Sequence, residues 1–263
     1  MPGAAVFGVT GRMGQSLVRA LRDSALRLSG ALASPSSGRL GLDAAQEGDP
    51  SGVRVTADPQ TALTDAVVAL DFSTPLQLGA RARACAARGV PLLVGTTGFD
   101  AETRALLEAA ARAVPVLIAP NTSVGVAVLR QLVGLAAAAL GEDFDAEVAE
   151  AHHRLKRDAP SGTALALAEA VAEARGAALA DVAVYDRHGS SASRKPGSIG
   201  FSVIRAGDIV GEHTVTFAGD GERIELTHRA TDRMVFARGA IRAAEWLIGR
   251  PAGVYGMHHV IGS

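Results

Sequence analysis

Residues 4–7, Ala-Ala-Val-Phe, make a short apolar run that stops at Gly8, and Met13, Leu17, Val18 and Leu21 then recur at the spacing of one helix face. That is strand, glycine turn, helix. Continuous apolar runs follow at 28–33, 67–72, 90–94 and 114–119, as expected of strands covered on both faces. Residues 75–88 and 101–113 read as helices between them, the second with Asp100 placed to cap it. The alternation predicts an α/β fold with a Rossmann-like, doubly wound parallel sheet. Residues 34–51 are rich in Ser, Gly and Asp with little periodicity, and predict a long surface loop.

The pattern changes after residue 122. Residues 124–140 form a strongly apolar helical stretch, and Phe144, Ala146 and Val148 then alternate with acidic residues at a strand period. Residues 185–200, with Gly189, Gly197 and scattered serines and basic residues, predict a flexible polar loop. The runs 214–217 and 223–227 flank Gly219-Asp220-Gly221, a hairpin signal. Residues 234–248 return to helix, with Gly249 past the end. The expected organisation is therefore a dinucleotide-binding domain from 1–123 and 233–263, with the terminal helix packing back on it. Residues 124–232 form an inserted α+β domain with a mixed, largely open sheet, expected to bind substrate and to mediate oligomerisation.

Composition narrows the function. Of 263 residues 48% are hydrophobic and 20% charged, which excludes a disordered chain. A formal net charge of −1 argues against a nucleic-acid partner. No stretch reaches the roughly 18 uncharged apolar residues of a membrane span, and no basic leader precedes the first strand. The single cysteine, Cys85, forbids an internal disulfide and a cysteine-ligated metal, and sits as a small core residue in a predicted helix. These features together predict a soluble protein of the reducing cytoplasm, with no metal.

Three glycine-rich or small polar strings end predicted strands. Gly8-Val9-Thr10-Gly11-Arg12-Met13-Gly14 opens the first helix, where backbone N–H groups and the helix dipole can hold a pyrophosphate. Gly95-Thr96-Thr97-Gly98 and Pro120-Asn121-Thr122 follow later strands, and in an open parallel sheet such ends line the ligand crevice. An NAD reader often carries a carboxylate at the end of its second strand, for the adenosine ribose hydroxyls. Here the chain has Ala33-Ser34, with Arg39 and several serines nearby. The missing carboxylate removes repulsion toward a 2′-phosphate, so NADPH is expected to serve at least as well as NADH.

The densest chemical group is Glu150-Ala151-His152-His153-Arg154-Leu155-Lys156-Arg157-Asp158-Ala159-Pro160-Ser161-Gly162-Thr163. It runs from a strand end to a helix start at which Ser161 is placed as N-cap. Two imidazoles, three cations and open helix N–H groups can bind a carboxylate-bearing small molecule and offer it protons. A third metal ligand at suitable spacing is missing. His258-His259 lack a cationic or helix-start setting and read as surface histidines.

These strings, with Arg205-Ala206-Gly207-Asp208-Ile209-Val210-Gly211-Glu212-His213-Thr214, resemble the 4-hydroxy-tetrahydrodipicolinate reductases, also called dihydrodipicolinate reductases, through nearly the whole chain. The resemblance implies a cytoplasmic enzyme of the diaminopimelate route to lysine, a homotetramer assembled through its second domain. It implies NADPH or NADH as hydride source and a cyclic imine dicarboxylate as substrate. Residue by residue, it places Gly8, Val9, Thr10, Gly11, Arg12 and Met13 on the dinucleotide phosphates, with Ala33 and Ser34 at the second strand's end. Gly95, Thr96, Thr97, Ala119, Pro120, Asn121 and Thr122 would line the nicotinamide side. His152 and Lys156 would transfer protons, and His153, Ser161, Gly162 and Thr163 would hold substrate. Thr74 stands where some relatives carry Arg. Two other classes remain to be weighed: a nucleotide-binding redox sensor, which has no need of the 152–163 loop, and a semialdehyde dehydrogenase, which would need a reactive cysteine.

Overall fold

The computed structural model describes residues 1–189 and 193–262; residues 190–192 of the predicted polar loop and Ser263 lie outside the described residues. The chain runs β1 (Gly3–Phe7), α1 (Arg12–Leu21), β2 (Arg27–Leu32), β3 (Val55–Thr56), α2 (Pro59–Ala62), β4 (Val68–Asp71), α3 (Leu78–Arg88), β5 (Leu92–Val94), α4 (Ala101–Ala110), β6 (Pro115–Ile118) and α5 (Val124–Leu140). It continues with β7 (Asp145–His152), α6 (Gly162–Ala174), α7 (Leu179–Val182), β8 (Ala183–Val184), β9 (Ile199–Arg205), β10 (Gly211–Gly219) and β11 (Glu222–Ala230). Helix α8 (Met234–Leu247), β12 (Gly253–Tyr255) and α9 (Met257–Ile261) complete it. Two units result, Met1–Val124 with Met234–Ser263, and Gly125–Arg233.

The first unit is a seven-stranded sheet in the order β12-β6-β5-β4-β1-β2-β3, every pairing parallel. Chain order reverses between β1 and β4, so the ends of those two strands mark the switch point where such sheets bind ligands. Strands β1, β4 and β5 are buried on both sides, which is why they read as unbroken apolar runs. On one face Phe7, Leu78, Ala82, Cys85, Leu92 and Leu107 share a core. Helix α8 packs against α1, β4 and β5, so the terminal helix does return to this unit.

The helix predicted over 75–88 starts only at Leu78, because Gln77 takes a left-handed conformation at φ 67°. The Arg81 guanidinium holds this detour by donating to the carbonyls of Leu76 (2.9 Å) and Thr74 (2.7 Å). The helix over 101–113 ends at Ala110, and its predicted cap is present, since Asp100 accepts from the Thr103 N–H.

The second unit carries a mixed five-stranded sheet, β11-β10-β7-β9-β8. Strands β10 and β11 form the predicted hairpin, while β7 pairs in parallel with β9 and antiparallel with β10. Leu129 and Val133 of α5 and Leu167 and Val171 of α6 bury against Val148, Phe201, Val215 and Phe217. Alternation along β7 puts Ala146, Val148, Glu150 and His152 on the buried side, so two polar residues continue an apolar face. The polar loop expected to reach 200 gives way to β9 at Ile199. Its flanks are tied down, since Arg187 pairs with Glu147 at 2.7 Å and Arg194 pairs with Asp145 at 2.7 Å. Among the described residues no helix is long and apolar enough to cross a membrane.

Candidate active site

In the first unit the glycine string lies at the end of β1. Gly8 has φ +78°, and a Cβ there would come within 2.6 Å of the Phe72 carbonyl oxygen at the end of β4, so only glycine fits the switch point. A Cβ on Gly14 would fall 2.3 Å from the Gly8 oxygen, so the third glycine lets α1 press against the turn. Helix α1 begins at Gly11 without a side-chain cap and with no acidic residue in its first turn. Its first N–H groups and positive dipole end are thus available to an anion, and these residues fit a dinucleotide pyrophosphate. Val9 is fully buried, its N–H donating to the Leu32 carbonyl at 3.1 Å and its carbonyl accepting from Gln15 Nε2 at 2.8 Å, so it shapes the turn from within, whereas Gly11 and Arg12 are exposed.

The other candidate residues of this unit fall at neighbouring strand ends. Ala33 is buried and Ser34 exposed beyond β2, with Ser34 Oγ 2.8 Å from Ser36 Oγ. Arg39 is engaged locally, donating to the Asp43 carbonyl at 3.0 Å. Gly95, Thr96 and Thr97 follow β5, and Ala119, Pro120, Asn121 and Thr122 follow β6. Two of these hydroxyls have structural work. Thr122 donates to the Phe236 carbonyl at 2.7 Å, and buried Thr96 donates to the Asp71 carboxylate at 2.8 Å.

Asp71 gained no role from the sequence, yet it organises these ends. Its fully buried carboxylate accepts from Arg81 Nε at 2.6 Å, from Ser73 Oγ at 2.6 Å and from the Ser73 N–H at 3.1 Å, besides Thr96. The Asp-x-Ser spacing is a local turn signal. Arg81, ten residues on and inside a helix, gave no hint of its partner.

In the second unit the 150–163 segment closes around one carboxylate. Glu150 is buried on β7 and accepts from four donors. His152 Nδ1 lies 2.5 Å from its Oε2, the Ser161 N–H donates to Oε1 at 2.9 Å, and Arg205 of β9 donates twice at 2.7 Å. Burial alone would raise the Glu150 carboxyl; Arg205, His152 and the Ser161 N–H outweigh it and hold the group below the usual carboxylate range. An ionised carboxylate only accepts, so His152 carries its proton on Nδ1 and leaves Nε2 with a lone pair. Burial pushes His152 below its ordinary value; the Glu150 contact opposes this, and the Lys156 and Arg205 charges reinforce it.

The loop after β7 is pinned from β9, since Ala206 N–H donates to the His152 carbonyl (2.9 Å) and Arg205 to the Asp158 carbonyl (2.6 Å). Within it the Lys156 ammonium reaches both Asp158 oxygens, at 2.8 and 2.9 Å, and stays partly exposed. Half-buried His153 gives its carbonyl to the Lys156 N–H at 3.1 Å. Ser161 caps α6, its Oγ accepting from Ala164 N–H at 3.2 Å. The first turn of α6 carries no acidic residue, and Gly162 is exposed there beside half-buried Thr163. The structure thus brings His152, His153, Lys156, Ser161, Gly162 and Thr163 into one loop and helix start, where an anion and a proton donor can both be served.

His213 of β10 is a further member. Its Nε2 lies 3.0 Å from Ser161 Oγ, its ring meets that of His152 edge-on at 5.1 Å, and burial drives its pKa down to about 4. Glu150 and His152 could be paired from the sequence by their strand spacing of two. Arg205 and His213 lie 55 and 63 residues beyond Glu150, and only the register of β7 with β9 and β10 brings them in.

Two histidines read differently in place. His258 and His259 are exposed, but they do stand at a helix start, in the first turn of α9. His259 Nδ1 accepts from Gly256 N–H at 3.0 Å, and its ring lies 5.4 Å from that of Tyr255. Cys85 is buried in α3, and burial pushes its thiol up, so it offers no nucleophile to a semialdehyde chemistry.

Comparison with known proteins agrees with this geometry. Residues 3–122 match the family described as dihydrodipicolinate reductase, N-terminus, and residues 125–261 match dihydrodipicolinate reductase, C-terminus. The 4-hydroxy-tetrahydrodipicolinate reductase of Thiobacillus denitrificans is 51% identical over 260 residues, covering 98% of this chain and 97% of that protein. The enzyme of that name from Anaeromyxobacter dehalogenans is 50% identical, over 98% of this chain and 96% of its own. Among solved structures, the dipicolinate-bound dihydrodipicolinate reductase of Paenisporosarcina sp. TG-14 superposes with a TM-score of 0.79 at 25% identity, covering 98% of this chain and 99% of that one. With both halves matched and half of all residues shared along the full length, the chain belongs to the dihydrodipicolinate reductase family.

Proposed function

We propose that this protein catalyses the NAD(P)H-dependent reduction of 4-hydroxy-tetrahydrodipicolinate to tetrahydrodipicolinate with loss of water, in the diaminopimelate pathway of lysine biosynthesis. The observation that carries the reading is the loop from His152 to Thr163, where imidazoles, an ammonium and an open helix start converge. It stands in a chain half identical, over its whole length, to reductases of that name.

The first unit is the dinucleotide domain and the second the substrate domain. Gly8 to Met13 hold the phosphates at the start of α1. Ala33 and Ser34 meet the adenosine ribose, and Gly95 to Thr97 with Ala119 to Thr122 line the nicotinamide side. When bound, the reduced nicotinamide supplies a hydride. Because β2 ends without a carboxylate, NADPH serves at least as well as NADH, and a preference for NADH above about tenfold (~1.4 kcal/mol) would sink that part.

Gly162, Thr163, Ser161 and His153 hold the carboxylates of the cyclic imine, with the positive end of α6 favouring their charge. Fixing the ring in this way removes orientational entropy before any bond changes. The 4-hydroxyl leaves with a ring proton as water, which makes the ring conjugated, and hydride addition to it builds negative charge at the ring nitrogen or the adjacent carbon. Lys156 stabilises that charge and supplies a proton. His152, neutral with Nδ1–H given to Glu150, presents Nε2 as an acceptor. The pair thus divides into donor and acceptor.

The enzyme is cytoplasmic and assembles as a homotetramer through the second unit, whose sheet leaves β11 largely exposed. A coupled assay tests the central claim. The condensation product of pyruvate and aspartate semialdehyde is supplied, and NADH and NADPH oxidation are followed separately. Oxidation of at least one is expected, and oxidation of neither overturns the assignment.

A further inference from the structure

We propose that Glu150 is the positioning residue of the second unit: one buried carboxylate fixes the His152 tautomer, holds the first turn of α6 and, through Arg205, sets the Lys156 loop. The inference rests on the functional reading above and deepens it, since it says what keeps the donor and acceptor in place.

The argument is one of hydrogen-bond accounting. Glu150 is fully buried as a side chain and would be costly there without compensation. Its two oxygens accept from His152, the Ser161 N–H and two guanidinium nitrogens, and each of these donors belongs to a different part of the site. The contact to His152 Nδ1 selects the tautomer whose Nε2 is unprotonated. The contact to the Ser161 N–H fixes the residue that caps α6, and with it the approach to Gly162 and Thr163. The terminal nitrogens of the shared Arg205 also donate to the Ile204 and Asp158 carbonyls, at 2.8 and 2.6 Å, and only its buried Nε lacks a partner. Asp158 is the residue that holds the Lys156 ammonium, so the same carboxylate reaches the proton donor through two links.

A glutamine at 150 keeps the shape but breaks this accounting. Its carbonyl can still accept from the two donors on its own side, while its NH2 group meets the other two donors and finds no acceptor unless His152 changes tautomer. The groups around His152 are Glu150 on its own strand, Lys156 in the following loop, Arg205 on β9 and His213 on β10. Removing the only anion among them lowers the pKa of the ring.

The test compares Glu150→Gln and Glu150→Asp in the full-length protein. For Glu150→Gln, kcat is expected to fall by about 30- to 100-fold and the pH profile limb assigned to His152 to move down, while KM for NADPH stays within about twofold. Glu150→Asp keeps the charge and is expected to recover kcat to within about tenfold of wild type. Wild-type kcat and an unmoved pH profile in Glu150→Gln, whatever its melting temperature, would reduce Glu150 to a structural residue and overturn the proposal. A second measurement needs neither variant to fold: selectively 15N-histidine-labelled wild-type protein, assigned with His152→Gln, should show His152 protonated on Nδ1 and bare on Nε2. The opposite tautomer overturns the proposal. Because the tautomer is read without turnover, it stands or falls separately from the assay of the proposed reaction.

Discussion

Each unit buries a carboxylate against an arginine at the end of a strand, and the two pairs are used differently. Asp71 and Glu150 both have fully buried side chains, and each accepts an arginine contact, at 2.6 and 2.7 Å. The remaining donors to Asp71 are hydroxyls and a backbone N–H of its own loop and of the next strand end, and Arg81 spends its other nitrogens on loop carbonyls. None of the partners named there is an imidazole, and the result is a fixed loop shape. Glu150 accepts one bond from an imidazole and another from a helix start. The same physics builds scaffolding where donors are inert and chemistry where one of them can exchange a proton. Burial and an ion pair do not by themselves mark a carboxylate that positions a proton-exchanging group; the third and fourth partners do.

The largest effects should separate the two regions cleanly. Lys156→Ala is expected to lower kcat by roughly 10²–10⁴ with the melting temperature nearly unchanged, because the ammonium is partly exposed and, among the described residues, pairs with Asp158. Steady-state turnover with calorimetry checks both halves of that statement. Wild-type turnover would remove Lys156 from the mechanism. Asp71→Ala should do the reverse. It strands Arg81 in the interior at a cost of about 3–5 kcal/mol, or roughly 10 °C of melting temperature, while enzyme that remains folded keeps its KM for the cyclic imine of the coupled assay. A stable Asp71→Ala protein would mean that water reaches Arg81 and that the first network is not closed.

The contrast was only half legible in the sequence. Local patterns were reliable wherever a run was long: α5 spans Val124–Leu140, the stretch marked by its apolar residues, and Asp220-Gly221 turns between β10 and β11. Strands β3 and β12, of two and three residues, are too short to show a period and exist because neighbouring strands offer their edges. Asp58 followed by Pro59 does carry a cap signal for α2, and the structure uses it. In the site, the glycine string and the 150–163 loop stood out because chemistry concentrates there within a few residues. Asp71, Arg81, Arg205 and His213 did not, since each works through a partner that only sheet register or a helix detour brings near. A lone His in a motif such as that around 213 gives no sign that its ring will be buried behind Ser161.

The two regions should also differ in their response to acid, with a smaller effect. His213 is buried with a pKa of about 4, below the ~6.5 of an unfolded chain. Between those values the unfolded chain binds the proton and the folded one does not, so stability is fully present above about pH 6.5 and falls as the pH drops toward 4. The loss attributable to this ring is up to about 3 kcal/mol. Urea midpoints at pH 7 and pH 4.5 measure it, and His213→Gln, which can still meet Ser161, should flatten the acid side. No histidine belongs to the Asp71 network, so Asp71 variants should leave the slope as it is. An equal slope in wild type and His213→Gln would place the acid sensitivity elsewhere.

The smallest expected effect lies in the first unit and sharpens the division of labour. The second strand ends in buried Ala33 and exposed Ser34, and the nearby Arg39 is occupied with the Asp43 carbonyl, so on the proposed reading selection of the adenosine ribose would rest on the lack of a carboxylate more than on a dedicated cation. Placing one there by Ser34→Glu should offer an acceptor to ribose hydroxyls and repel a 2′-phosphate. The ratio of kcat/KM for NADPH to that for NADH should fall by about tenfold, or ~1.4 kcal/mol. KM for the cyclic imine and the position of the pH profile should not move, because Glu150 and its partners belong to the other unit. An unchanged cofactor ratio would put the ribose away from the end of β2, and a shifted pH profile would show that the two networks are coupled after all.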